Sequence, residues 1–127
     1  MLIFGYPLAK NLNFNFIEKI ENLQNDQISC FFYDEKIIQK AKNENLDFAI
    51  FIQNKNEIFL SNAFEAKFLI FKDEKLAKFA SEVAEFYLFD SKILMMVENF
   101  DDLEKAYDLR VDGVILKDFI KNYKVFK

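Results

Sequence analysis

Two charged residues that follow apolar runs are the first candidates for chemistry in this sequence. Glu98 comes directly after the apolar run 93–97, and Lys117 comes directly after the run 113–116. A carboxylate beside a lysine can act as a base and an electrophile, and a lysine can also form a Schiff base with a carbonyl substrate. The same two residues can equally form a solvated surface ion pair without a role. We therefore take Glu98 and Lys117 as candidate catalytic residues and keep the surface ion pair as the alternative.

Four more side chains lie where apolar runs end, and they are candidate ligand-binding residues. They are Tyr6, Asp34, Asn54 and Asp73. In an α/β sheet, ligands bind outside the carboxyl ends of the strands, so these side chains are expected at one rim. Asp34, Asn54 and Asp73 have an alternative local role, because Asp and Asn at a strand-to-helix turn commonly cap the helix that follows.

The residues that are missing argue against conventional catalysis. The chain has no histidine, which is the commonest general acid or base and the commonest metal ligand. It has two glycines, Gly5 and Gly113, so it lacks the glycine-rich loops that let backbone approach a phosphate. No spacing of metal ligands is present. We therefore expect no metal and no cofactor.

Charge and cysteine content limit the partners and the compartment. The net charge is −4 and Arg110 is the only arginine, which argues against nucleic-acid binding. Cys30 is the only cysteine and lies in the apolar run "ISCFFY", so we expect a buried, unreactive thiol and a reducing compartment. The sequence has neither a signal-peptide pattern nor an apolar run long enough to cross a membrane. We therefore expect a cytoplasmic protein without membrane contact.

The elements that must position these residues can be read from hydrophobic pattern. Continuous apolar runs, without alternation, are typical of strands buried on both faces of a parallel sheet. Six such runs are present, at residues 2–6, 28–33, 48–52, 68–71, 93–97 and 113–116.

Helices are predicted between the runs. The capping pairs Asn15 with Glu18 and Asn99 with Asp102, and the caps Asp34, Asn54 and Asp73, predict their starts. A last short helix is predicted at 117–123. The inward stripes are predicted at residues 37, 38 and 41, at residues 76, 79, 80, 83 and 87, and at residues 103, 106 and 107.

About six βα units over 127 residues predict one α/β domain, residues 1–127. Six units are too few for the usual eight-stranded barrel. We therefore predict a three-layer (αβα), open, mostly parallel sheet of flavodoxin-like or Rossmann-like type. The alternative is a half-barrel that completes itself by dimerising.

The stretch "KILMMVENFDDLEKAYDLRVDGVILKDF" resembles two kinds of known protein. It is similar to a βα unit of phosphate-binding (βα)-barrel enzymes such as quinolinate phosphoribosyltransferase, which would make Glu98 a substrate-facing carboxylate and Lys117 a strand-end residue. It also looks like the second half of a response-regulator receiver, in which Lys117 would contact a phosphoryl group. Gln53 stands where a receiver has its phosphoacceptor aspartate, so the second resemblance implies a degenerate receiver.

Two functions follow as expectations. The first is a non-catalytic α/β domain that acts by protein–protein contact or self-association, because "FFY" at 31–33 and "EFYLF" at 85–89 carry more aromatic bulk than one face of an element needs. A homo-oligomer, most simply a dimer, is its expected form, and a separate protein partner is the other option. The second function is a small-ligand-binding protein or enzyme of shrunken βα-barrel or Rossmann-like type, with Glu98 and Lys117 at its rim.

Overall fold

A computed structural model describes residues 1–8 and 12–123 of the chain. Within these residues the strands are β1 (Leu2–Phe4), β2 (Phe14–Phe16), β3 (Ile28–Phe32), β4 (Phe48–Phe51), β5 (Phe68–Phe71), β6 (Lys92–Val97), β7 (Gly113–Leu116) and β8 (Ile120–Lys121). The α-helices are α1 (Glu35–Asn43), α2 (Lys55–Ala63), α3 (Glu74–Tyr87) and α4 (Leu103–Leu109), and 3₁₀ turns lie at Ile20–Asn22 and Lys117–Phe119. The predicted α/β class is confirmed.

All the strands of the described chain form one parallel sheet, in the order β1-β7-β6-β5-β4-β3-β2-β8. From β2 to β7, strands that are neighbours in the sheet are also consecutive in the chain, which is the arrangement that successive βα units produce. The sheet is curled. Phe4 of β1 and Phe14 of β2 have ring centroids 5.1 Å apart, although five other strands separate β1 from β2 in the sheet.

The curl divides the hydrophobic core into two layers. The inner layer lies inside the curl, and all of its buried residues come from strands: Phe4, Phe14, Phe16, Ile28, Cys30, Ala49, Phe51, Phe68, Ile70, Leu94, Ile115 and Ile120. The outer layer lies between the sheet and the helices, and all four α-helices contribute buried residues to it. The strands are therefore buried on both faces, as their continuous apolar runs predicted, but one face is covered by the sheet itself rather than by a second layer of helices.

Two segments that were predicted as helices contain short strands instead. Phe14 and Phe16 both belong to the inner layer, and this spacing of two is the period of a strand. The helix predicted from Asn15 is therefore wrong, and only the 3₁₀ turn at Ile20–Asn22 remains of it. Asn15 itself is buried, and its side-chain oxygen accepts a hydrogen bond from Asn122 Nδ2 at 2.7 Å.

The helix predicted at 117–123 is also wrong. Its first residues form the 3₁₀ turn Lys117–Phe119, and Ile120 then pairs with Phe14 of β2 and enters the inner layer. The burial of Ile120 against β2 outweighs the local helical tendency of the segment. Residues 124–127, with the aromatic Phe126, lie outside the described part of the chain.

A glycine at the end of β1 permits the last crossover. β1 pairs with β7 whereas β8 pairs with β2, so the turn Lys117–Phe119 passes close to the carboxyl end of β1. Gly5 lies there with a φ of +108°, and a Cβ on it would be 2.8 Å from Leu116 Cβ and 3.1 Å from Phe119 Cβ. Glycine is the residue that combines this conformation with so close an approach.

Cys30 lies in the inner layer and is fully buried, as the sequence predicted. Burial raises the pKa of its thiol far above the usual range, and the backbone N–H of Asn15 offsets only part of this effect. We expect a thiol reagent to modify Cys30 in the native protein at least about a hundredfold more slowly than in denaturant, because the thiolate is the reacting species. Equal rates in the two conditions would contradict the burial.

No helix in residues 1–8 and 12–123 has the length and apolar character that crossing a membrane requires.

Candidate functional site

Three of the predicted ligand-binding residues are helix caps. Asp34 Oδ1 accepts hydrogen bonds from two backbone N–H groups of α1, at 3.0 and 3.2 Å. Asn54 Oδ1 accepts one from the Glu57 N–H at 3.1 Å, and Asp73 Oδ1 accepts one from a backbone N–H of α3 at 3.0 Å. The capping role predicted as their alternative is therefore present in all three. The start predicted for α4 at Asn99 is wrong, since Asp102 is the residue that caps this helix.

The structure brings the two candidate catalytic residues together. Val97 and Leu116 are paired in register on neighbouring strands, so Glu98 and Lys117 follow at the same level. Lys117 Nζ lies 3.3 Å from Glu98 Oε2. The carboxylate side chain is 74% exposed and that of the lysine 21% exposed. An ion pair with one partner this exposed is a common surface feature, and it is screened by solvent and salt.

Aromatic rings fill the inner side of the rim near this ion pair. The ring of Tyr123 stacks on that of Phe51 with centroids 5.0 Å apart, and it meets that of Phe16 edge-on at 5.3 Å. Burial raises the pKa of the Tyr123 phenol, and the negative charge of Glu98 adds to the effect. The space inside the curl at β2, β3 and β4 is thus occupied by side chains that belong to the inner layer.

Tyr6, the remaining candidate, lies half-exposed at the end of β1. Its ring centroid is 5.5 Å from that of Phe100, which follows β6. The structure therefore gives Tyr6 a packing role against the segment between β6 and α4.

A shallow groove adjoins Glu98 on the helical side of the sheet. It has a volume of about 370 Å³, and its charged lining residues include Lys72, Glu74, Glu98, Asp102 and Lys105. Lys105 Nζ and Glu74 Oε2 are 3.1 Å apart. Three acidic and two basic side chains line the groove, so it lacks the single sign of charge that attracts an ionic ligand. Among the described residues, no group of three or more acidic or cysteine side chains has the geometry to hold a metal ion.

We expect the Glu98–Lys117 ion pair to contribute little to folding. Glu98→Gln should lower the free energy of unfolding by less than about 1 kcal/mol, because exposed pairs are typically worth 0–1 kcal/mol. Urea denaturation measures the change, and Asp47→Asn in the exposed pair Lys67–Asp47, also 3.3 Å long, is the matched control. A loss several times that of the control would mean that Glu98 is held in place by more than this contact.

A second candidate site lies on the helices, and we call it the aromatic patch. It consists of Phe86, Tyr87 and Leu88 at the end of α3 and Tyr107 on α4, whose exposures range from 63% to 83%. The rings of Phe86 and Tyr87 are in contact, with centroids 4.8 Å apart. Exposed apolar side chains are ordinary when scattered, but large ones in adjacent positions mark contact surfaces.

The buried residues of α3 and α4 are small, and the largest side chains at the ends of these helices point away from the sheet. The buried residues of α3 are Ala77, Ala80 and Ser81, and that of α4 is Ala106. Of the residues predicted to face inward, Leu76, Phe79 and Leu103 are partly buried against the outer layer. Tyr87 and Tyr107 are exposed, so the inward positions predicted for these two are wrong. The stripe periodicity was correct for α1, in which Ile37, Ile38 and Ala41 are buried.

Two residues at the patch have a backbone conformation that is unfavourable for their type. Leu88, the C-cap of α3, has a φ of 55°, and Arg110, the C-cap of α4, has a φ of 61°. Left-handed backbone costs a residue with a Cβ about 1–2 kcal/mol relative to right-handed backbone, and glycine or asparagine is the usual choice at such ends. Leu88 thus combines an unfavourable backbone with an exposed apolar side chain.

A groove of about 600 Å³ runs beside the patch. Met1, Glu85, Tyr107 and Arg110 are among its lining residues. Arg110 Nη1 lies 3.8 Å from Glu85 Oε2, and both side chains are 70% exposed. Of the four patch residues, Tyr107 lines this groove, which also contains a loosely paired cation and anion.

Comparison of the chain with models of known protein families gives no match, and comparison with curated proteins gives none either.

Proposed function

We propose that this protein is a non-catalytic interaction domain, and that it acts by self-association through the aromatic patch. The observation that carries the proposal is that four large hydrophobic side chains, each more than 60% exposed, lie on two neighbouring helices, and that two of them, Phe86 and Tyr87, are in ring contact. The strand-end rim supports the proposal as well, because the rings of Phe16, Phe51 and Tyr123 occupy the ends of β2 and β4, which belong to the edge where a (βα) enzyme binds its substrate.

The size of the patch fits a protein interface. Aromatic side chains bury roughly 150–250 Å² each, so these four residues expose on the order of 500 Å² of largely apolar surface. A stable interface takes about 800 Å² from each partner, with an apolar centre and a polar rim. The patch supplies such a centre, and Met1, Glu85 and Arg110 supply part of the rim.

We expect a dimer of twice the 15.1 kDa chain mass at micromolar concentration. Replacement of both Phe86 and Tyr87 by serine should give a monomer, because it removes two adjacent anchors while leaving the buried face of α3 unchanged. Sedimentation equilibrium measures both proteins. Phe59→Ser is the matched control, since Phe59 is a 41% exposed phenylalanine on α2. A wild-type protein that remains at 15.1 kDa over the whole concentration range would contradict self-association.

A second candidate function is the binding of a small ligand at the rim, which the 3.3 Å approach of Glu98 and Lys117 favours. A thermal-shift screen against phosphorylated metabolites and nucleotides tests it. A ligand present at a hundred times its dissociation constant would stabilise the fold by about 2.7 kcal/mol. The rim variant Lys117→Met should abolish such a shift if the ligand binds there.

The buried thiol of the only cysteine fits a reducing compartment, so we propose the cytoplasm as the location.

A further inference from the structure

We infer that two copies of this chain meet around a twofold axis at the aromatic patch, and that Glu85 of each copy faces Arg110 of the other. The inference rests on the proposed self-association and names the residues that make the patch recognise itself. In a twofold interface one surface meets an identical surface, so the surface must be complementary to itself.

The charged pair beside the patch, Glu85 and Arg110, meets this condition. Glu85 and Arg110 have opposite charge and equal exposure. A twofold rotation about an axis between them would place Glu85 of one copy opposite Arg110 of the other. Their contact within one chain is loose, at 3.8 Å, whereas Glu74 and Lys105, which join the first turns of the same two helices, are 3.1 Å apart. The guanidinium has five N–H donors in a planar fork, so it can donate hydrogen bonds to a second carboxylate while it still contacts the first.

The residue type at position 110 supports the same conclusion. The chain has 17 lysines and arginines in total, and Arg110 is the only arginine among them. Arginine is preferred over lysine at the centres of interfaces, because its planar group stacks on aromatic rings and binds carboxylates in a bidentate manner. Arg110 lines the same groove as Tyr107, which offers such a ring.

Charge reversal tests the inference. Glu85→Arg alone and Arg110→Glu alone should each raise the dimer dissociation constant at least about tenfold, because each places like charges opposite one another twice. When the two variants are mixed, one chain carries two cations at the contact and the other two anions. We therefore expect a heterodimer with an affinity close to that of the wild type, and the double variant Glu85→Arg/Arg110→Glu should dimerise by itself.

The matched control is reversal of Glu74 and Lys105, the pair at the opposite ends of α3 and α4, which should leave the dissociation constant unchanged. Analytical ultracentrifugation of chains with different fluorescent labels distinguishes homodimers from the heterodimer, and recovery on mixing shows that both variants are folded. A dimeric wild type whose affinity is insensitive both to Glu85→Arg and to Arg110→Glu would overturn this inference and leave self-association standing. A monomeric wild type would overturn both.

Discussion

Replacement of Phe14 by alanine is expected to lower the free energy of unfolding by about 3–5 kcal/mol, the range typical of a buried phenylalanine. Phe14 is fully buried in the inner layer. Its ring centroid lies 5.1 Å from that of Phe4, 5.5 Å from that of Phe68 and 6.3 Å from that of Phe119. The ring thus joins β2 to β1, to β5 and to the turn before β8, so its loss would leave a cavity where the curl is held closed.

Denaturant unfolding monitored by circular dichroism measures this change. Phe59→Ala is the control, because Phe59 is partly exposed on α2 and its removal should cost much less. Similar losses for the two variants would mean that the inner layer collapses around the missing ring, and that the curl does not depend on Phe14.

The strands could be predicted from the sequence because their residues are buried on both faces. Ile50, Leu69 and Ile93 face the helices, while their neighbours Ala49, Phe68 and Leu94 face the inside of the curl. Burial on both faces requires consecutive apolar residues, and all six predicted runs correspond to strands. An apolar run does not show which element covers each face of the sheet. A face inside a curled sheet and a face under a layer of helices both require apolar residues.

β2 and β8 are too short to be recognised in this way. β2 contributes Phe14 and Phe16 with the buried polar Asn15 between them, and β8 contributes only Ile120 to the core. Their pairing depends on residues more than a hundred positions apart in the chain, as the hydrogen bond between Asn15 and Asn122 illustrates. Local helix signals such as Asn15 with Glu18 cannot include such a contact.

The candidate sites could be predicted in part. The caps Asp34, Asn54 and Asp73 follow local rules and were found, and the approach of Glu98 to Lys117 follows from neighbouring parallel strands. Excess aromatic bulk was noted at 85–89, where Phe86 and Tyr87 are exposed, and also at 31–33, where Phe31 is buried in the core. Tyr107 and Arg110 were not assigned to the patch and its rim, because the outward side of a short helix depends on how closely Ala106 lets the helix approach the sheet.

The second large effect is expected at Gly113, where any side chain meets the backbone of the neighbouring strand. A Cβ at this position would lie 2.3 Å from the carbonyl oxygen of Leu2 and 2.5 Å from Leu2 Cβ. Leu2 pairs with Gly113 in register, and its N–H donates to the carbonyl oxygen of Asp112 at 2.9 Å. The carbonyl of Leu2 therefore cannot move away unless the pairing of β1 with β7 is disrupted.

We expect Gly113→Ala to lower the free energy of unfolding by about 1–3 kcal/mol or more, as overpacking in a rigid place does. The sign of the change is decisive. Where space and conformation allow, glycine to alanine stabilises a protein by about 0.4–1 kcal/mol, because the unfolded chain loses freedom. Urea denaturation distinguishes the two outcomes. A stabilised Gly113→Ala protein would show that β1 does not lie against β7 as described, whereas a destabilised one that still folds would indicate that β1 yields while the consecutive strands β2 to β7 keep their order.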